Sequence, residues 1–107
     1  MYIAIVANMH VGVCRISFRL AKNLSLKGKR QVLKSITTRV GNKFNVSIAE
    51  VDDNDLWQLA TLGISCVSND QRHTNEVLSK VVDFISNGRF EVEMLDYRIE
   101  ILPVFDL

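Results

Sequence analysis

Two periodicities, one of two residues and one helical, succeed each other along this chain in an order that few folds accommodate. Within residues 11–20, Cys14, Ile16, Phe18 and Leu20 alternate with Arg15, Ser17 and Arg19, the pattern of a strand buried on one face. Ser25 is then an N-cap, and Leu26, Val32, Leu33, Ile36, Val40 and Phe44 gather on one side of a helix predicted over residues 26–44. Residues 46–51 form a second strand, Asp52-Asp53-Asn54-Asp55 a polar turn, and residues 56–67 a third strand. Ser68-Asn69-Asp70-Gln71 offers overlapping caps, including a Ser68–Gln71 capping box, for a helix over residues 69–87. Its Val77, Leu78, Val81, Phe84 and Ile85 share a face, and Asn87-Gly88 stops it. Residues 90–102 make the fourth strand, with Pro103 ending its pairing. Its apolar parity changes from Phe90, Val92 and Met94 to Leu95, Tyr97, Ile99 and Ile101, which predicts a bulge at residues 94–95.

The order β-α-β-β-α-β with right-handed crossovers predicts an α+β, ferredoxin-like sandwich over residues 1–107. Its four antiparallel strands run in the order 4-1-3-2, with both helices on one face. The first and fourth strands are then neighbours, so Arg15 and Arg19 lie opposite Glu91, Glu93 or Glu100, depending on register.

Charge is distributed unevenly. Residues 1–49 hold nine Lys or Arg and no acid, while residues 50–107 hold four Lys or Arg and twelve acids, so the halves carry +9 and −8 and sum to +1. Such segregation points to nucleic-acid contact where the fold does not neutralise it. On the first helix, Lys27, Arg30 and Lys34 form a solvent-side stripe with no acid in the same helix, and Lys29 lies among them as a fourth candidate RNA contact. No stretch approaches the roughly 20 apolar residues of a membrane span, and the opening residues 1–7, though apolar, are far too short and lack the basic flank of a secretion signal. A cytoplasmic protein is the expectation. Cys14 and Cys66 lie 52 residues apart inside apolar runs and read as small buried hydrophobes.

The segments Ser25-Leu26-Lys27-Gly28-Lys29-Arg30-Gln31-Val32-Leu33-Lys34-Ser35, Phe44-Asn45-Val46-Ser47-Ile48-Ala49-Glu50-Val51, Asp55-Leu56-Trp57-Gln58, Ala60-Thr61-Leu62-Gly63 and Val67-Ser68-Asn69-Asp70 resemble those of the bacterial YlxP-like proteins, a domain of unknown function. The resemblance covers about residues 11–102 and implies a ferredoxin-like fold without known enzymatic activity. It also implies a gene neighbourhood shared with transcription-termination, translation-initiation and ribosome-maturation factors, and it supplies no catalytic residues. Two departures stand out. Gly28 occupies a position that is often acidic in the family, where a Glu would close a capping box with Ser25. Residues 1–9 precede the family's usual beginning near Val11, and read either as an extension ahead of a start at Met9 or as an added strand segment.

Candidate chemistry is sparse. Asp52, Asp53 and Asp55 lack the glycine and the Glu of a calcium loop, and His10 and His73 have no ligands at metal spacing. Residues 12–19 faintly resemble acylphosphatases, but residues 21–24 contain no glycine to wrap backbone amides around a phosphate. No cofactor, metal or catalytic residue is therefore expected. Trp57, the single tryptophan, falls by parity on the open sheet face with Leu59, beside Arg15 and Arg19. There it suits base stacking or a contact between copies, as readily as packing at the rim of the core. The expectation is a non-enzymatic accessory protein that binds RNA or the ribosome through Lys27, Lys29, Arg30 and Lys34. The alternative is an interaction module that forms a homodimer through the open sheet around Trp57, Arg15 and Arg19, or through an edge strand.

Overall fold

The structure, a computed structural model, describes residues 9–105; the segment read above as an N-terminal extension lies outside them, except for Met9. Six elements follow in order: β1 (Met9–Arg19), α1 (Leu26–Lys43), β2 (Ser47–Asp52), β3 (Leu59–Ser68), α2 (Gln71–Asn87) and β4 (Glu93–Val104). The strands form one antiparallel sheet in the order β2-β3-β1-β4, the predicted 4-1-3-2 arrangement read from the other edge. Alternation decides the faces. Cys14, Ile16 and Phe18 of β1 and Ala60, Leu62, Ile64 and Cys66 of β3 join one core with Leu33, Ile36 and Val40 of α1 and Leu78, Val81, Val82 and Ile85 of α2. Both helices thus cover one face and leave the other open. Gly12 is where α2 comes closest to the sheet: a Cβ there would sit 2.4 Å from Thr74 Cγ2 and 2.7 Å from Leu78 Cδ1.

The β1–β4 register skips one residue between Ser17↔Asp96 and Phe18↔Met94, so Leu95 is the extra residue of a bulge, as the parity change predicted. Three local expectations are corrected or narrowed. Pro103 does not end β4. It pairs with His10, and Val104 with Met9, on an edge strand where an absent N–H costs no ladder bond on the outer side. Of the overlapping caps at residues 68–71, the second helix uses Asp70, whose side chain accepts from the Arg72 N–H, and not the Ser68–Gln71 box. The Ser68 hydroxyl instead accepts from the Asp70 N–H and shares a hydrogen bond with Thr74 Oγ1. Trp57 precedes β3, which begins at Leu59, so it belongs to the connection and not to the open sheet.

Lys29 is also corrected. It extends the apolar stripe of Leu33, Ile36 and Val40 by one turn and is only 1% exposed, so it cannot meet an RNA phosphate. Its Nζ donates to the carbonyls of Asp53 (2.6 Å) and Leu56 (2.8 Å). Glu50 Oε2, enclosed and accepting no well-oriented hydrogen bond, lies 2.8 Å from the same nitrogen as a charge contact. An ammonium has three protons, and these three oxygens surround it. The Asp53 carbonyl also closes the turn by accepting from the Leu56 N–H, with Asp53 held at φ 61° and its carboxylate accepting from Thr61 Oγ1.

Removing one member of a buried pair leaves a desolvated charge behind, at a cost of about 3–5 kcal/mol; the partial exposure of Glu50 favours the lower end. Lys29→Ala is expected to lower unfolding free energy by about 3 kcal/mol in a denaturant titration. Lys27→Ala, on the exposed side of the same turn, is expected to stay within about 0.5 kcal/mol of wild type. Equal, small losses for both would show that the ammonium is not a structural tie.

Candidate nucleic-acid interface

With its core face on the sheet, α1 turns Lys27, Arg30 and Lys34 to water on one side. Ser25 caps the helix by accepting from the Gly28 N–H at 3.0 Å. No acid occurs anywhere along α1. Among the described residues, the ion pairs are Arg19–Glu93, Lys29–Glu50 and Arg98–Glu100, so none of the three exposed cations has a carboxylate within 4.0 Å. Lys22, in the preceding turn, is exposed as well.

The last turns of α1 use their cations differently. Arg39 lies 4.7 Å from the centroid of Phe90, and Lys43 lies 4.8 Å from that of Phe84. Phe44, Phe84 and Phe90 meet edge to face beneath them. These cations cover ring faces and hold the seam between the helices.

At the other end of α1 the two long connections are sewn together. Leu20 N–H donates to the Gln58 carbonyl (2.9 Å), and Gln58 Nε2 reaches back to the carbonyls of Ala21 and Asn23. Asn23 Nδ2 donates to the carbonyls of Ser25 and Trp57. Gly28 leaves the room that Asn23 fills: a Cβ would fall 2.3 Å from Asn23 Oδ1. The glycine thus leaves room for a side-chain bridge to the neighbouring loop. Trp57 stands on this platform with its residue 54% exposed, and its neighbour in sequence Leu56 is exposed as well.

Arg15 and Arg19 lie elsewhere, on the open face of the sheet away from the helices. Arg19 pairs across to Glu93 at 4.0 Å, whereas Arg15 faces Arg98, which turns to Glu100 at 2.9 Å on its own strand. Both lie on the sheet face opposite α1, and Arg19 pairs with Leu59, two residues from Trp57. Beside Arg15, a shallow groove of about 490 Å³ runs over Val13, Ala49, Val51 and Gly63.

The polar cluster at residues 52–55 closes its own turn: Asp52 Oδ1 accepts from the Asp53 N–H, and the Asp53 carboxylate is taken by Thr61. No group of three or more His, Cys, Asp or Glu able to hold a metal occurs among the described residues. Burial pushes the Cys14 thiol up to about 11 and raises that of Cys66, which suppresses the reactive thiolates. No helix of the described residues is long and apolar enough to cross a membrane.

Of the site residues read from sequence, Lys27, Arg30 and Lys34 are found together and solvent-facing. Lys29 is enclosed, and Trp57 sits beside the helix start. The signal for Lys29 was its spacing, four and seven residues before Leu33 and Ile36. No comparable pattern announces the bridge made by Asn23 and Gln58, because the carbonyls that tie one loop to the other are more than 30 residues away in sequence.

Among solved structures, the fold resembles the de novo designed protein Foldit4, with a TM-score of 0.53 and 13% identity over 88% of this chain and 96% of that one. A second design, Ferredog-Diesel, superposes more loosely, with a TM-score of 0.40 and 12% identity over 84% of this chain and 83% of its own. The uncharacterized protein YlxP of Bacillus subtilis (strain 168) is 51% identical over 63 residues, 59% of this chain and 68% of that protein. The model of a protein family of unknown function, DUF503, matches residues 11–99, and the chain belongs to that family.

Proposed function

We propose that this protein is a non-enzymatic, cytoplasmic accessory factor that binds RNA, in a ribosomal setting, through the outer face of α1. One observation carries the reading: Lys27, Arg30 and Lys34 share an exposed helix face without a neutralising carboxylate among the described residues. Cations left unpaired by their own fold attract a polyanion, and their contacts to phosphates release condensed counterions. The gene neighbourhood implied by the YlxP-like resemblance supports a ribosomal polyanion. The removal of Lys29 from the contact set leaves this stripe intact.

A second reading, a homodimer through the open sheet, is favoured by a separate observation. Val13, Val51, Val67 and Leu102 are exposed on that face to 37%, 56%, 65% and 49%. Trp57 takes no part in it.

The triple substitution Lys27→Gln, Arg30→Gln, Lys34→Gln is expected to keep the melting temperature within a few degrees. It is expected to weaken co-sedimentation with ribosomal subunits, and to flatten the log–log salt dependence of RNA binding by roughly 2 units if all three residues contact phosphates of a single strand. Equal co-sedimentation of wild type and variant at low and moderate salt would remove the RNA reading. The dimer reading is tested by sedimentation equilibrium. A dimer that Val67→Glu dissociates supports it, and a wild-type mass of one chain at all concentrations rules it out.

A further inference from the structure

We propose that the RNA held by α1 is single-stranded and that one of its unpaired bases stacks on Trp57; this rests on the RNA reading above. Three successive carbonyls of the connection before β3 are held from two other segments, α1 and the β1–α1 connection. Leu56 O accepts from Lys29 of α1, Trp57 O from Asn23 of the β1–α1 turn, and Gln58 O from the N–H of Leu20, just past β1. The backbone that carries the indole is therefore clamped on both sides, while the residue itself is 54% exposed and absent from the core. An aromatic ring displayed from an immobilised backbone has already lost the freedom that binding would otherwise take away.

The charges set direction and ligand class. The Asn23 side chain that bonds Trp57 O also bonds Ser25 O and abuts Gly28, so the indole's backbone adjoins the first turn of α1. From there Lys27, Arg30 and Lys34 lead away over about 10 Å of helix. Of the three acids between β2 and Trp57, Asp52 accepts from the Asp53 N–H, and the Asp53 carboxylate accepts from Thr61 Oγ1 of β3. Asp55 is exposed without a hydrogen bond or ion pair among the described residues, so a phosphate backbone is repelled from that side and passes on the α1 side. An A-form duplex keeps its base faces stacked on one another and offers none to an indole, whereas an unpaired strand does.

Because Trp57 is the sole tryptophan, intrinsic fluorescence reads this contact directly. The test titrates the full chain with single-stranded oligouridylate and, separately, with an RNA hairpin stem of equal charge. Quenching by the single strand but not by the stem is expected. Trp57→Ala is expected to weaken single-strand binding by roughly 5- to 100-fold, with Trp57→Phe retaining most of it. Asp55→Asn is expected to tighten binding. Circular dichroism establishes that each variant is folded, and if the alanine variant is not, the difference in quenching of the wild type by the single strand and by the stem serves as the reading. Salt-dependent binding without quenching, at equal affinity for wild type and Trp57→Ala, would overturn the stacking proposal while leaving the RNA reading in place. No binding of either RNA, even at low salt, would overturn both. A fluorescence change that follows protein concentration and not RNA would assign Trp57 to a contact between copies and also overturn the proposal.

Discussion

Everything at one end of this molecule depends on an ammonium group that has lost its water. Lys29 enters the protein on the core face of α1, and its charge is tolerable because Glu50 and the carbonyls of Asp53 and Leu56 converge on it. The arrangement joins α1 to β2 and shapes the β2–β3 connection around a fixed point. Without it the helix would lack a core partner for its first turn, and the connection would have no reason to curl back from the sheet. Asn23 and Gln58 then complete the closure from the other loop. A charge spent on architecture thereby decides where exposed side chains nearby are displayed.

The basic excess of the first half divides by physical task. Lys29 is a buried tie, Arg39 and Lys43 lie over the phenyl rings of α2 and the segment after it, and Arg19 stands across from Glu93. What is left on α1 is Lys27, Arg30 and Lys34, pointing to solvent because the helix turns its other side to the sheet. Segregated charge in sequence thus overstated the free positive potential. The part that survives folding is confined to one helix face, which makes it more directional than a net charge of +1 suggests.

The fold was legible because each element's period matched its environment. Cys14, Ile16 and Phe18 announced which face of β1 is buried, and the parity change at Met94–Leu95 announced the bulge, since a strand can swap faces only by inserting a residue. Errors came where long-range contacts override local pattern. Lys29 reads as surface by its charge, although its spacing to Leu33, Ile36 and Val40 places it inside. Parity assigned Trp57 to the sheet because nothing local reveals that the chain is drawn toward an ammonium before pairing starts at Leu59. Pro103 reads as a terminator because it lacks an N–H, yet β4 has a neighbour on one side only, and a proline whose nitrogen faces the free side of an edge strand removes no ladder bond. The cations of the candidate site were visible in sequence; the bridged loops that set Trp57 beside them were not.

The irregularities in the outer strands have a consequence of their own. An open sheet ends in rows of unsatisfied amide groups, which invite another chain to continue the ladder. Here one rim carries the extra residue Leu95 and the donor-less Pro103. The opposite rim is only six residues long, and its register breaks between Glu50 and Asp52, folding Val51 over Gly63. Neither rim offers a straight, uninterrupted template, so growth by strand addition is discouraged on both sides and the sheet closes at four strands. Two copies that do meet are thereby directed to the broad face of the sheet, where contact is finite, and away from the rims, where repeated pairing would produce a filament.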